Sequence, residues 1–235
     1  MDREIRLHYA PDNASLIVRL AMLELGIDHR TVLVDRAAKA QSSPIYRLLN
    51  PHGLIPALET PDGVIFETGA ILLWLADNAG RGAPAIGTSD RTQFLAWLFF
   101  VSNTLHTDLR TTFYPMHYVG GVPEMQSALR QTQRSRICNH LATLEELAAS
   151  TPVWLDGSQP SVLCYYIACL LRWMALYPQD DDRSWFALSD TPHLAALLVA
   201  LENREAVKTA QHAEGLGPTP FTAPTYCSPP EGSAT

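Results

Sequence analysis

Paired cysteines, an excess of positive charge and long apolar runs are all missing from this chain, and each absence closes off a class of function. Four cysteines occur in 235 residues, Cys138, Cys164, Cys169 and Cys227. They form no CxxC and no metal-like spacing with histidine, so they read as reduced thiols of an intracellular protein. The net charge of −7 argues against nucleic-acid binding and against an anionic membrane surface. The aliphatic–aromatic run over residues 94–101 falls far short of the roughly 20 residues a membrane span needs. Met1-Asp2-Arg3-Glu4 is charged and lacks the apolar core of a signal peptide. Phosphate loop, zinc-protease helix and GxSxG elbow are absent too. The expectation is a soluble cytoplasmic protein with no metal, no nucleic-acid partner and no membrane partner.

What is present is enough apolar material for a core. The 47% hydrophobic content over this length allows one large or two modest domains. Residues 50–77 are the most informative stretch. Asn50-Pro51-His52-Gly53 turns, and Pro56 then falls inside an extended apolar segment, where a residue without an N–H cannot serve an ordinary central strand. The Asp62-Gly63 turn leads to a short strand, then to Glu67 and Thr68 where a helix begins. An exposed strand edge beside a polar helix start suits capture of a peptide-like ligand.

Along the chain, strands are expected at residues 5–9, 31–34, 57–59 and 64–66. Helices are expected at 14–25, after Ser42-Ser43-Pro44, and at 68–78. The order is βαβαββα, a thioredoxin-like arrangement. Beyond it the pattern predicts helices over 90–118 (with a bend near Pro115), 123–149, 161–177, 192–202 and 204–212. The fold class is α/β plus all-α: a unit over 1–80, a Gly/Pro/Ser-rich linker over 81–89, an all-helical unit over 90–212, and an extended Pro/Ser/Gly-rich tail over 213–235.

The 50–77 pattern resembles the glutathione-binding half of the cytosolic glutathione transferases. The resemblance implies a cis peptide bond before Pro56, a backbone contact from Ile55 to the cysteinyl unit of glutathione, and Glu67 with Thr68 on its γ-glutamyl end. His52, Lys39 or Arg36 would meet the glycine end. Glutathione is then the co-substrate, a small electrophile the second substrate, and a homodimer the expected assembly, with Glu67–Ala70 and residues 90–118 near the partner. Isomerase, reductase or ether-cleaving chemistry on the same site, or a non-catalytic binding module, are the alternatives.

The chemistry requires a thiolate, and a free thiol of this kind titrates near 8.5. A hydroxyl donating to sulfur at a helix N-terminus would lower that value. The segment Tyr9-Ala10-Pro11-Asp12-Asn13-Ala14-Ser15 looks most like the bacterial beta class, with Tyr9 and Ser15 matching and Ala14 in place of that class's cysteine. Disulfide chemistry from position 14 is therefore not expected. Ser15 is either the activating hydroxyl or a helix-start residue, and Tyr9 either faces the sulfur or packs. Asn13 is a further polar candidate. His106, nine residues after Trp97 as in beta-class sequences, is the expected assistant, and helical spacing puts it on one face with Ser102 and Arg110. Phe113, Tyr114, Met116 and Tyr118 are candidate walls for the second substrate. Ser161 resembles the cap of the family's helix-start motif, with Cys164 replacing its aspartate and costing the reciprocal bond.

Overall fold

The computed structural model describes residues 4–234. In its first part, β1 (Arg6–Tyr9), α1 (Ala14–Glu24) and β2 (Arg30–Leu33) make a parallel βαβ unit. A short α2 (Pro44–Arg47) leads to the antiparallel pair β3 (Ala57–Thr60) and β4 (Gly63–Phe66), followed by α3 (Thr68–Ala79). The four strands lie in the order β2-β1-β3-β4. Register sets Leu7 opposite Leu58 and Leu58 opposite Ile65. Leu7 and Leu58 pack with Leu16, Ile17, Leu20, Ile71 and Leu75 of the two helices in one core. This is the thioredoxin-like order read from the sequence.

The remainder is helical: α4 (Ser89–Phe100), α5 (His106–Phe113), α6 (Met116–Val119), α7 (Pro123–Ala149), α8 (Val162–Leu176), α9 (Pro192–Glu202) and α10 (Glu205–Glu214). Nearly every side chain of α8 is buried, which is why its sequence, Arg172 aside, is apolar all round. It packs against α1, α3, α5 and α9 and so welds the two parts together.

The expected single helix over 90–118 is not continuous. A π-helical turn over Val101–Leu105 separates α4 from α5, and the helix ends at Phe113. Tyr114 leaves helical geometry at φ −126, ψ 53, because the residue before a proline is driven out of the α region. Ser161 does begin α8, but its hydroxyl makes no capping bond. That hydroxyl instead lies 3.7 Å from the Cys164 sulfur.

Residues 215–234, expected as an extended tail, form no regular element and run back over the body. Leu216 and Phe221 are buried. The carbonyls of Leu216, Pro220 and Thr225 accept from the Arg172 guanidinium. Gly215 has φ +63, and a Cβ there would lie 2.0 Å from the Ser228 carbonyl, so only glycine lets the strap return so closely.

Candidate functional site

Between the α/β unit and the helices lies a cavity of about 1090 Å³, at the top of the range of about 300–1,000 Å³ common for small-molecule sites. Its floor is the start of α1. Asn13 is the N-cap residue there, with extended backbone and no capping bond from its side chain. Asn13 and Ala14 both line the cavity. The start of α3 forms a second wall through Glu67, Thr68, Gly69 and Ala70. Here too no side chain caps the helix. Glu67 is held at φ 74, a left-handed conformation that costs a non-glycine residue about 1–3 kcal/mol and clusters at functional sites. The Ile55–Pro56 bond is cis, and both residues line the cavity beside Leu54 and Gly53.

The helical side contributes Ser102, Asn103, His106, Arg110, Phe113 and Tyr114. Thus the expected Ser102–His106–Arg110 face does look into the cleft. Phe113 and Tyr114 are wall residues, but Met116 and Tyr118 are exposed on α6 and do not line it. His106 Nδ1 lies 2.8 Å from the Tyr166 hydroxyl. Burial, with the Arg110 charge adding, holds the imidazole down at about 4, so it is neutral at physiological pH. Burial pushes the Tyr166 phenol well above its usual range, while a hydrogen bond from Thr68 opposes the shift. His106 and Tyr166 therefore form a polar pair on the helical side of the cleft.

Four expected site residues lie elsewhere. Ser15 is wholly buried. Its hydroxyl donates to the Ala10 carbonyl at 3.0 Å and accepts from the Ala10 amide at 3.2 Å. It closes the β1–α1 loop from inside and is turned from the cavity. Tyr9 is buried, with the Arg19 guanidinium 4.3 Å above its ring. Its hydroxyl donates to Glu231 of the tail, and burial with that carboxylate raises its pKa to about 12. His52 turns edge-on to Phe66, and Lys39 is exposed at φ 53 at the start of a short 3-10 turn. Neither lines the cavity. The cation that does, on this side, is Arg36, whose guanidinium donates to Tyr114 Oη at 3.2 Å and to the Ala234 carbonyl.

Tyr166, Trp173 and Tyr177 also line the cavity and were not singled out by the sequence pattern. Tyr166 and Trp173 lie on α8, whose sequence is apolar except for Arg172, so the sign available was that positions 166 and 173 lie two turns apart on one face.

Beneath the floor runs a buried charge network. Asp12 accepts from Arg172 Nε at 2.9 Å and Nη2 at 3.0 Å, from Trp173 Nε1 at 2.8 Å and from Tyr177 Oη at 3.0 Å. Its amide donates to Glu214 at 2.8 Å. Arg19 Nε lies 2.8 Å from Glu214 Oε1, at ion-pair distance but misaligned for a hydrogen bond.

Residues 14–78 match the family model for the glutathione S-transferase N-terminal domain. Glutathione S-transferase 3 of Zea mays is 31% identical over 214 residues, 88% of this chain and 93% of that protein. Glutathione S-transferase GstA of Escherichia coli O157:H7 is 28% identical over 90% of this chain and 100% of its own length. A sphingomonad glutathione S-transferase solved in complex with glutathione is 28% identical, with a TM-score of 0.72 over 90% of this chain and 100% of that one. The chain belongs to the cytosolic glutathione S-transferase superfamily. Names within this neighbourhood differ: a maleylacetoacetate isomerase of Rhizobium meliloti is 27% identical over 83% of this chain and 88% of that protein.

Proposed function

We propose that this protein binds glutathione in the cleft and holds its thiol as a thiolate for attack on a small electrophile. The observation that carries the reading is the convergence of two helix N-termini, α1 and α3, on one cavity with no side chain capping either. Each presents amide N–H groups and the positive end of a helix dipole. One suits a thiolate and the other a carboxylate.

In this reading the backbone of Ile55 pairs with the cysteinyl unit. The γ-glutamyl end lies at the start of α3, with Glu67 facing its ammonium and the amides of Thr68 and Gly69 facing its carboxylate. Arg36 takes the glycine-end carboxylate, the role the resemblance left open among Arg36, Lys39 and His52. The sulfur then lies over Asn13 and Ala14, where the Asn13 amide replaces the hydroxyl expected of Ser15. His106 faces it from the helical side. With Tyr166 donating to Nδ1, Nε2 carries the hydrogen and donates toward sulfur. A cytoplasmic homodimer completes the reading.

A second reading rests on the isomerase relative: the thiolate adds to an unsaturated substrate and is released again. It uses the same site and differs only in whether glutathione is consumed. Ultraviolet difference titration of glutathione bound to the purified protein tests what both share. The expected result is thiolate absorbance at a pH well below the roughly 8.5 of a free cysteinyl thiol. Binding with an unshifted thiol, or no binding, would overturn it.

A further inference from the structure

The cavity holds two guanidinium groups, and the proposed glutathione contacts use one. Arg36 and Arg110 both reach Tyr114: Arg36 bonds its hydroxyl at 3.2 Å, and the Arg110 guanidinium lies 5.8 Å from its ring centroid. Arg110 donates once, to Tyr118 Oη at 2.8 Å. Among the described residues no carboxylate lies at ion-pair distance from it. The nearby acids are otherwise placed: Asp12 is bound to Arg172, Glu67 stands on the α3 wall, and Asp180 is exposed at the rim. A guanidinium has five donors in a planar fork that matches a carboxylate, and this one lines the cleft with no carboxylate of the described residues at ion-pair distance.

Its surroundings are aromatic. Phe113, Tyr114, Trp173 and Tyr177 line the same cavity, and His117 stacks on Tyr114 at 11°. Arg110 stands one helical turn past His106, about 6 Å along the axis at 1.5 Å per residue. The two side chains are therefore neighbours on the helix face that lines the cleft.

We propose that the electrophile is a planar aromatic carboxylate whose anionic group pairs with Arg110, which thereby sets its reacting carbon at the thiolate beside His106. This rests on the glutathione reading above. For an aryl chloride the sulfur lone pair forms the S–C bond, the ring and its nitro group hold the charge, and the C–Cl bond breaks with chloride taking the pair. The thiol proton has already left to solvent.

The test compares 4-chloro-3-nitrobenzoate with its neutral amide, 4-chloro-3-nitrobenzamide, as co-substrates of glutathione. The full chain should prefer the acid in kcat/KM by about ten- to hundredfold, the range a hydrogen bond to a charged group provides. Arg110→Gln should bring the ratio near one, mainly through KM for the acid, and Arg110→Lys should restore part of it. No preference for the acid, in a protein that turns over the amide and shows a lowered thiol pKa, overturns this inference and leaves the glutathione reading standing. A preference that survives Arg110→Gln overturns the role of Arg110. Failure of both compounds together with an unshifted thiol overturns the reading beneath.

Discussion

Asn13 and Ser15 stand two positions apart at the start of α1, and a rotation of about 100° per residue sends their side chains to opposite destinations. Ser15 goes inward and satisfies both polar groups of Ala10; Asn13 stays at the cavity floor with no local partner as a cap. The two roles separate by substitution. Asn13→Ala should raise the pKa of bound glutathione thiol by about one to two units, since a hydrogen bond to a charged group is worth about 1.5–3 kcal/mol. Ser15→Ala should leave that titration in place and lower folding stability by about 1–3 kcal/mol, because the Ala10 groups it served are buried. Parallel thiolate titrations and urea unfolding of the two variants read both effects. A raised thiol pKa in Ser15→Ala alone would return the activating role to the hydroxyl.

Two elements shape the cleft in ways their sequences do not advertise. The π-helical turn at Val101–Leu105 interrupts the helix one step before His106, and irregularities of this kind recur at functional sites. The closing strap has no regular structure, yet it is anchored at several points. Phe221 is buried, its amide and that of Thr222 donate to Glu202, and Tyr226 donates to the Leu176 carbonyl. Further on, Glu231 receives the Tyr9 hydroxyl and the Ala234 carbonyl receives Arg36. Phe221→Ala should cost about 3–5 kcal/mol, the usual range for emptying a buried aromatic site, and expose residues 218–230 to protease. A variant with unchanged stability and unchanged proteolysis would show that Phe221 does not anchor the strap.

At the scale of the molecule, one buried network joins the β1–α1 loop, α8, α10 and the strap through Asp12, Arg172, Arg19 and Glu214. Removing one member of such a set is expensive because its partners are left charged and buried. Glu214 gives it a pH dependence. Burial raises its carboxyl from 4.5 to about 7, against the pull of Arg19. The folded state therefore holds this proton more tightly than the unfolded chain. The resulting stability is fully present below about 4.5 and is lost as pH rises through about 7. Urea unfolding at pH 5 and pH 7.5 should show this loss, and Glu214→Gln should flatten it. An unaltered slope in the variant would mean another group titrates.

The regular elements were legible from local signals. Periodic apolar residues ending at Gly26 mark α1, the Asp62-Gly63 turn marks the β3–β4 hairpin, and Pro123 opens α7. The motif from Asn50 to Thr68 was legible for the same reason, since its turns, proline and helix start are neighbours in the chain. The site was legible only in part. Ile55, Pro56, Glu67, Thr68 and His106 line the cavity, whereas Tyr9, Ser15, Lys39 and His52 do not. Position along the chain places a residue near a cleft, but packing decides which way it turns. Tyr166, the course of the strap, the choice of Arg36 over Lys39 and His52, and the neutral state of His106 depend on segments up to some 200 residues apart. By itself the sequence determined the order of elements and the polar helix starts, through short-range pattern and backbone preference. The tertiary structure alone decided which hydroxyls are buried, which cations remain facing the cleft and where the tail closes, because those depend on contacts between elements that no local pattern encodes.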